Sequence, residues 1–409
     1  MIMSAPQHLG SLQRPLTIAA AILAGVLMIA ACSKDKNVDQ PAKLSPLPHP
    51  SLRVTHLWGH NMGDKKAAVL RLGQGVSVAD NRVYAAGHKG EVVALDLATG
   101  RVLWHTKTGA PLSGGTSSTA ELVVAGASDG QLFAFDAANG HNRWKVRLNG
   151  EVLAPAAIST RLVAVRTVDG RLHALSPEDG HELWATEQQV PRLSLRGTAS
   201  PVITGELVLC GFDNGKVVAV NAGDGSVQWE ATVTPPHGRT ELERLDDIDS
   251  AVRVSGRDVY AVGFQGKVAM LALDTGQVWW AHEESSYRGL ALDEDTLYLA
   301  DADGIVAALK ARTGAEVWRQ NVLLHRGLSP VAVMDDSVVV GDFQGYLHFL
   351  DKASGALAAR EGNGNGRIST QPLVVGDVVV VANDRGHINA YRVKPLAATT
   401  RKPARTPDK

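Results

Sequence analysis

The sequence predicts an all-β fold: an eight-bladed β-propeller of four-stranded antiparallel blades, closed by an N-terminal strand around Trp58. Three observations carry this prediction. A motif returns about every forty residues, each copy alternates apolar and polar residues with period two, and the last copy lacks the element that stands alone near the start.

The motif is "GEVVALDLATGRVLWH", Gly90 to His105, which returns as "GQLFAFDAANGHNRWK", "GRLHALSPEDGHELWA" and "GKVVAVNAGDGSVQWE". Its first glycine falls at Gly90, Gly130, Gly170, Gly215, Gly266, Gly304, Gly345 and Gly386, which makes eight units. Ten residues on stands Gly100, Gly140, Gly180, Gly225, Gly276, Gly314 or Gly355, and fourteen on stands Trp104, Trp144, Trp184, Trp229, Trp280 or Trp318. The seventh unit has Ala359 in the tryptophan position.

Inside a unit, short alternating runs broken by "SDG" and "AANG" read as strand, tight turn, strand, tight turn, strand, the glycines supplying the positive φ of the turns. A further run after each Trp, such as "LAPAAIS", supplies a fourth strand. The period-2 pattern excludes a helical solenoid, and four strands per repeat match a propeller blade. The eighth unit stops after "HINAYRVK" without a Trp strand, so the strand around Trp58 should complete it and remove the open edges of a linear array. A small residue lies four positions after the first glycine, Ala94 in the first unit, where it should face the Trp across the hairpin. Unit seven inverts the sizes, with Phe349 in the alanine position and Ala359 in the tryptophan position. Met270 and the extra Trp279 of unit five have no explanation in the sequence.

The propeller should occupy residues 51–394. Before it, Arg14 and the apolar run Leu16 to Ala31 read as an export signal over residues 1–31, too short and too alanine-rich for a spanning helix. The run ends in "IAAC", which resembles the bacterial lipobox, so Cys32 is the expected lipidation site; an uncleaved N-terminal anchor is the alternative. Ser33, where Asp would resemble an inner-membrane retention signal, points to the outer membrane. Residues 32–50, polar and proline-punctuated, read as the lipidated cysteine and a flexible tether, and 395–409 as a disordered basic tail.

Formal net charge is −1, so no basic field exists to hold nucleic acid. Two cysteines exclude a disulfide framework and every multi-cysteine metal pattern, and Cys210 in "LVLCGF" reads as a small core residue. His181 beside Glu182 reads as a surface pair. "GNGNG" at Gly362 to Gly366 opens no helix and is a poor phosphate cradle, while the recurrent "DG" pairs are turn chemistry and not calcium ligands. The lockstep of tryptophans with turns argues for blade-to-blade packing over ligand stacking.

Departures from the repeat are where function should lie. Only the intervals of 45 residues before Gly215 and 51 before Gly266 are expanded, by "QQVPRLSLRG" and "TPPHGRTELERLDDID". Both follow a Trp strand and precede the next inner strand on consecutive blades, so they should emerge side by side on one face. Leu193, Leu195 and Arg196 from one loop, with Asp247 and Asp249 from the other, form the expected partner surface: exposed aliphatic anchors flanked by orienting charges.

"ALDLATGRVLW" and its copies resemble the repeat of pyrroloquinoline-quinone-dependent dehydrogenases and their non-enzymatic relatives, among which the eight-bladed lipoproteins of the BamB family fit best. The resemblance covers the whole body and the lipobox. "LSLRG" and "RTELERLDDIDS" are similar to that family's loops for the barrel-forming partner BamA. It implies a non-enzymatic scaffold of the outer-membrane β-barrel assembly (BAM) complex, facing the periplasm, binding the periplasmic domains of BamA, presenting surfaces to nascent outer-membrane proteins, and using no cofactor or metal. The alternatives are an exported quinoprotein-type oxidoreductase, whose adjacent cysteines are missing here, and a sensor that binds a small molecule in the central channel.

Overall fold

Runs of five or six alternating residues between glycine turns can satisfy their backbone groups only by pairing with the next run, and antiparallel hairpins result. The computed structural model describes residues 39–63, 75–191, 198–235, 247–284, 286 and 288–396. These form eight four-stranded antiparallel sheets, in seven of which strand order follows chain order. Blades one to seven span 77–107, 112–147, 157–187, 202–232, 253–283, 290–320 and 332–362. Blade eight takes its three inner strands, Leu373–Val375, Val378–Ala382 and His387–Pro395, from the C-terminal side and its outer strand, Leu52–Asn61, from the N-terminal side. Trp58 pairs with Ala390, as Trp104 pairs with Ala94, so closure falls where the sequence predicts it.

Apolar clusters are shared between neighbouring blades, Tyr84 and Trp104 of blade one packing with Phe133 and Phe135 of blade two. The tryptophans are the joints. Apart from Trp279, each indole N–H donates to a turn carbonyl of the following blade: Trp104 to Ala137 at 2.9 Å, Trp184 to Ala222 at 3.0 Å, Trp318 to Lys352 at 2.9 Å, and Trp58 across the closure to Leu97 at 2.8 Å. The ring lies on the second glycine of that blade. At Gly140, with φ of 73°, an added Cβ would stand 2.5 Å from Trp104 Cε3, so this glycine is required both by its turn and by its neighbour. A one-residue register shift follows every Ala–Trp pair and leaves the residue before the Trp unpaired. In blade five that bulged residue is Trp279, which explains its exposure: it points away from the joint that Trp280 makes.

The inversion in blade seven has a structural cause. Phe349 pairs with Ala359, as the size exchange predicts, and both are buried. Blade eight has no hairpin between its third and outer strands, because these come from opposite ends of the propeller. They run on instead through the pairs Arg392–Thr55, Val393–Val54, Lys394–Arg53 and Pro395–Leu52. A tryptophan at 359 would therefore find no glycine turn to cover. Phe349 fills the space with Tyr391, Val393, Leu52 and Val54 instead.

Residues 41–50, expected within a flexible tether, make defined contacts with the propeller. From residue 41 the chain is laid on blades six and seven: Ala42 N–H donates to Leu324 O at 2.9 Å, Arg326 Nη1 to Ala42 O at 2.8 Å and Arg360 Nη1 to Ser45 O at 2.8 Å. Leu44 packs on the cluster that holds Trp318. Arg326 is itself fixed by buried Asp342, which also accepts from His348 Nε2 at 2.9 Å. Two anchored guanidinium groups thus supply donors to a backbone that composition alone marks as free.

Candidate functional site

The two expanded connections join the outer strands Glu182–Glu187 and Val227–Thr232 to the inner strands Val202–Thr204 and Arg253–Ser255. Residues 192–197, with Leu193, Leu195 and Arg196, and residues 236–246 lie outside the described residues. Described are the points where both connections return to the propeller. Thr198 and Asp249 line one cavity at the propeller centre, and since both connections run from an outer strand to the next inner strand on consecutive blades, they return on one face.

The acidic pair departs from expectation. Asp247, expected on an exposed loop, is fully buried, and Asp249 is half-buried. The cause is Ile248 between them, which is fully buried in the blade four and five cluster and sits over Gly211, where an added Cβ would meet its Cγ2 at 2.4 Å. Its N–H donates to Phe212 O at 3.2 Å, and Asp247 O accepts from Phe264 N–H at 3.0 Å. The "DID" stretch is a plug driven between two blades by one isoleucine, and it takes both carboxyls with it.

Beneath it lies an ion pair that the sequence reading missed. Arg166 of blade three, wholly buried, donates through Nη2 to Asp213 Oδ1 and stacks over the Phe212 ring at 4.7 Å. The signal was present: four residues before the first glycine stands Ala86, Gly126, Gly211, Val262, Ala300, Gly341 or Ala382 in the other units, and only blade three puts an arginine there. Asp249 adds a carboxyl whose Oδ1 is buried without a hydrogen-bond partner. Burial, then the charges of Asp247 and Asp213, push it up to about 8, so it is largely protonated at neutral pH. This end of blades three to five is thus a buried, charge-loaded base onto which both connections return.

Elsewhere the polar candidates serve the fold. Burial pushes the Cys210 thiol up to about 12, which removes its nucleophilicity. His181 and Glu182 do not pair with each other: His181 Nδ1 meets Asp179 Oδ1 at 2.7 Å, and Glu182 meets the buried His173 at 2.8 Å. In "GNGNG", buried Asn363 accepts through Oδ1 from Asn389 Nδ2 at 2.8 Å and from the Tyr391 hydroxyl at 3.1 Å, a structural clamp on blade eight. Among the described residues no group of three or more His, Cys, Asp or Glu side chains is placed to hold a metal ion.

Comparison with known proteins agrees with this architecture. A family model described as "Outer membrane protein assembly factor BamB" matches residues 55–114, 88–320 and 302–398. The outer membrane protein assembly factor BamB of Pseudomonas aeruginosa is 45% identical over 92% of this chain and 98% of its own length. The crystal structure of BamB from Moraxella catarrhalis superposes with a TM-score of 0.76 at 26% identity, covering 83% of this chain and 100% of that one. A quinohemoprotein alcohol dehydrogenase from Pseudomonas putida HK5, at 14% identity with a TM-score of 0.63 over 88% of this chain and 78% of its own, shares the fold alone. With its eight blades, all but one joined to the next through a tryptophan, and a family match running through nearly all of them, this chain belongs to the family of the outer membrane protein assembly factor BamB.

Proposed function

We propose that this protein is a non-enzymatic scaffold of the outer-membrane β-barrel assembly machinery, held on the periplasmic face of the outer membrane by a lipidated Cys32 and binding the periplasmic domains of BamA through the two inserted loops. The observation that carries the reading is the placement of two expanded blade junctions: they are consecutive, of one connectivity, and return to the propeller beside the central cavity. Leu193 and Leu195 supply aliphatic anchors, and Arg196 offers a planar fork of donors to carboxylates or backbone oxygens. The acidic residues leave the proposed contact: Ile248 carries Asp247 and Asp249 into the propeller where the second loop returns.

The quinoprotein alternative fits the residues poorly, since the chain's two cysteines stand far apart and Cys210 is buried within blade four. Adding pyrroloquinoline quinone with Ca²⁺ and measuring cofactor absorbance and dye reduction tests it directly, and no response is expected. Affinity purification from solubilised outer membranes tests the scaffold reading. BamA should co-purify, and intact mass should show acyl chains on a chain beginning at Cys32. Recovery of the protein without assembly-machinery subunits, or firm membrane fractionation of Cys32→Ala, would count against it.

A further inference from the structure

All eight blades contribute to one central cavity of about 780 Å³, and its charged lining is unbalanced. Three arginines, Arg253, Arg288 and Arg367, face two carboxyls, Asp249 and Asp384, with most of the remaining polar lining made of serine and threonine hydroxyls. We propose that this channel is a binding site for a small oxyanion, a phosphate or a polycarboxylate, held between Arg253, Arg367 and Arg288.

The arginines are built into the channel. Arg253 starts on the inner strand of blade five, donates through Nε to Leu290 O of blade six at 2.7 Å, and reaches Gln371 Oε1 of blade eight through Nη2 at 3.0 Å. It therefore links blades five, six and eight at the cavity, with Nη1 uncommitted among the described residues. Among those residues it also has no ion-pair partner, and burial alone draws its pKa down. A cation placed in a desolvated lumen without a counter-charge is costly, and an anion removes the cost. Arg367, at the entry to blade eight, makes no side-chain hydrogen bond or ion pair among the described residues, and its Nε is buried without a partner. Thr198 Oγ1, also on the lining, is another buried polar atom without a partner.

The lining carboxyls are fewer than the lining arginines. Asp384 is bonded by the Ser369 hydroxyl, and burial raises its pKa against the pull of Arg367 and Arg288. Asp249 is pushed up to about 8, so at neutral pH it adds little negative charge. Guanidinium forks lining one cavity suit a multivalent oxyanion, which accepts several N–H donors at once, better than a halide. The cavity volume lies within the range of small-molecule sites.

The test is calorimetric titration of the purified full chain in detergent with inorganic phosphate and with citrate, at constant ionic strength set by chloride. At least one of the two should bind saturably at one site per chain and raise the melting temperature. Arg367→Gln should weaken that binding about tenfold, through loss of a charge-assisted contact. Arg253→Gln with Arg367→Gln should abolish it, while Arg257→Gln, on an exposed turn of blade five, should leave it unchanged. Arg367→Lys, which keeps the charge and loses the fork, should fall between wild type and Arg367→Gln and serves if the glutamine variant fails to fold. Absence of saturable binding of both anions to the wild type, or equal binding by wild type and both Arg367 variants, would overturn the proposal.

Discussion

Replacing Phe349 with alanine should remove the one side chain that lets blade seven dispense with a tryptophan. Phe349 is fully buried, opposite Ala359, in a cluster with Tyr391 and Val393, so nothing nearby can relax into the space without moving a strand. A buried Phe→Ala change of this kind costs about 3–5 kcal/mol. Adding Ala359→Trp restores the Ala–Trp order of the other blades and returns much of the lost apolar burial. The new indole, however, finds no turn carbonyl on blade eight, and the run-on pairs from Arg392–Thr55 to Pro395–Leu52 occupy the ground where the turn would be. A missing hydrogen bond of about 1 kcal/mol and overpacking of about 1–3 kcal/mol leave the double variant short of wild type, with about 1 kcal/mol of the loss regained. Equilibrium guanidinium unfolding followed by far-ultraviolet circular dichroism measures all three proteins on one scale. A loss below about 1 kcal/mol for Phe349→Ala, or a double variant no more stable than the single, would refute the size-exchange argument.

Other outcomes follow from the same structure. Gly140→Ala forces a Cβ against Trp104 at positive φ and should cost about 2–4 kcal/mol in the same unfolding assay. Asp213→Ala strands the buried Arg166 and should cost about 3–5 kcal/mol, whereas Arg166→Met with Asp213→Leu should recover most of it, read as denaturation midpoints. Asp249 is held protonated in the fold up to about pH 8 but ionises near pH 4 when unfolded, so its penalty is absent below about pH 4, grows with rising pH and is complete above 8. Asp249→Asn should therefore gain on wild type across that window, by at most about 1.4 kcal/mol per pH unit, in stability measured from pH 4 to 9.

The ring was legible because its grammar is local. Turn glycines, period-2 runs and the Ala–Trp pairing are each set within a dozen residues, and the lone Trp58 and the truncated last unit together disclose the closure. What the sequence hid depends on contacts between blades. The absence of a tryptophan at 359 follows from the missing hairpin of the next blade, not from anything in blade seven itself. Trp279 became intelligible only once the bulge placed it outside the joint. In the "DID" stretch, two aspartates outweighed one isoleucine on paper, yet the isoleucine fixes the position because burying it between blades four and five is favourable and the carboxyls follow. Arg166 shows the converse, a long charged residue in a slot of small ones, which only its distant partner Asp213 makes stable. The stretch 41–50 carries the composition of a tether and is nonetheless docked, since the donors that hold it, on Arg326 and Arg360, lie hundreds of residues away.

The central claim is that the two inserted loops carry the partner contact while the propeller only holds them. Binding of wild type, Leu193→Arg and Arg196→Glu to purified BamA periplasmic domains, with melting curves of each variant alongside, tests it most directly. An unpaired charge placed in the contact should weaken binding by about 2 kcal/mol or more in both variants, with melting temperatures within a degree or two of wild type because no blade joint is touched. Unchanged affinity in both variants would contradict the interface, and a collapsed melting temperature would show that these residues belong to the packed body of the propeller and not to its binding face.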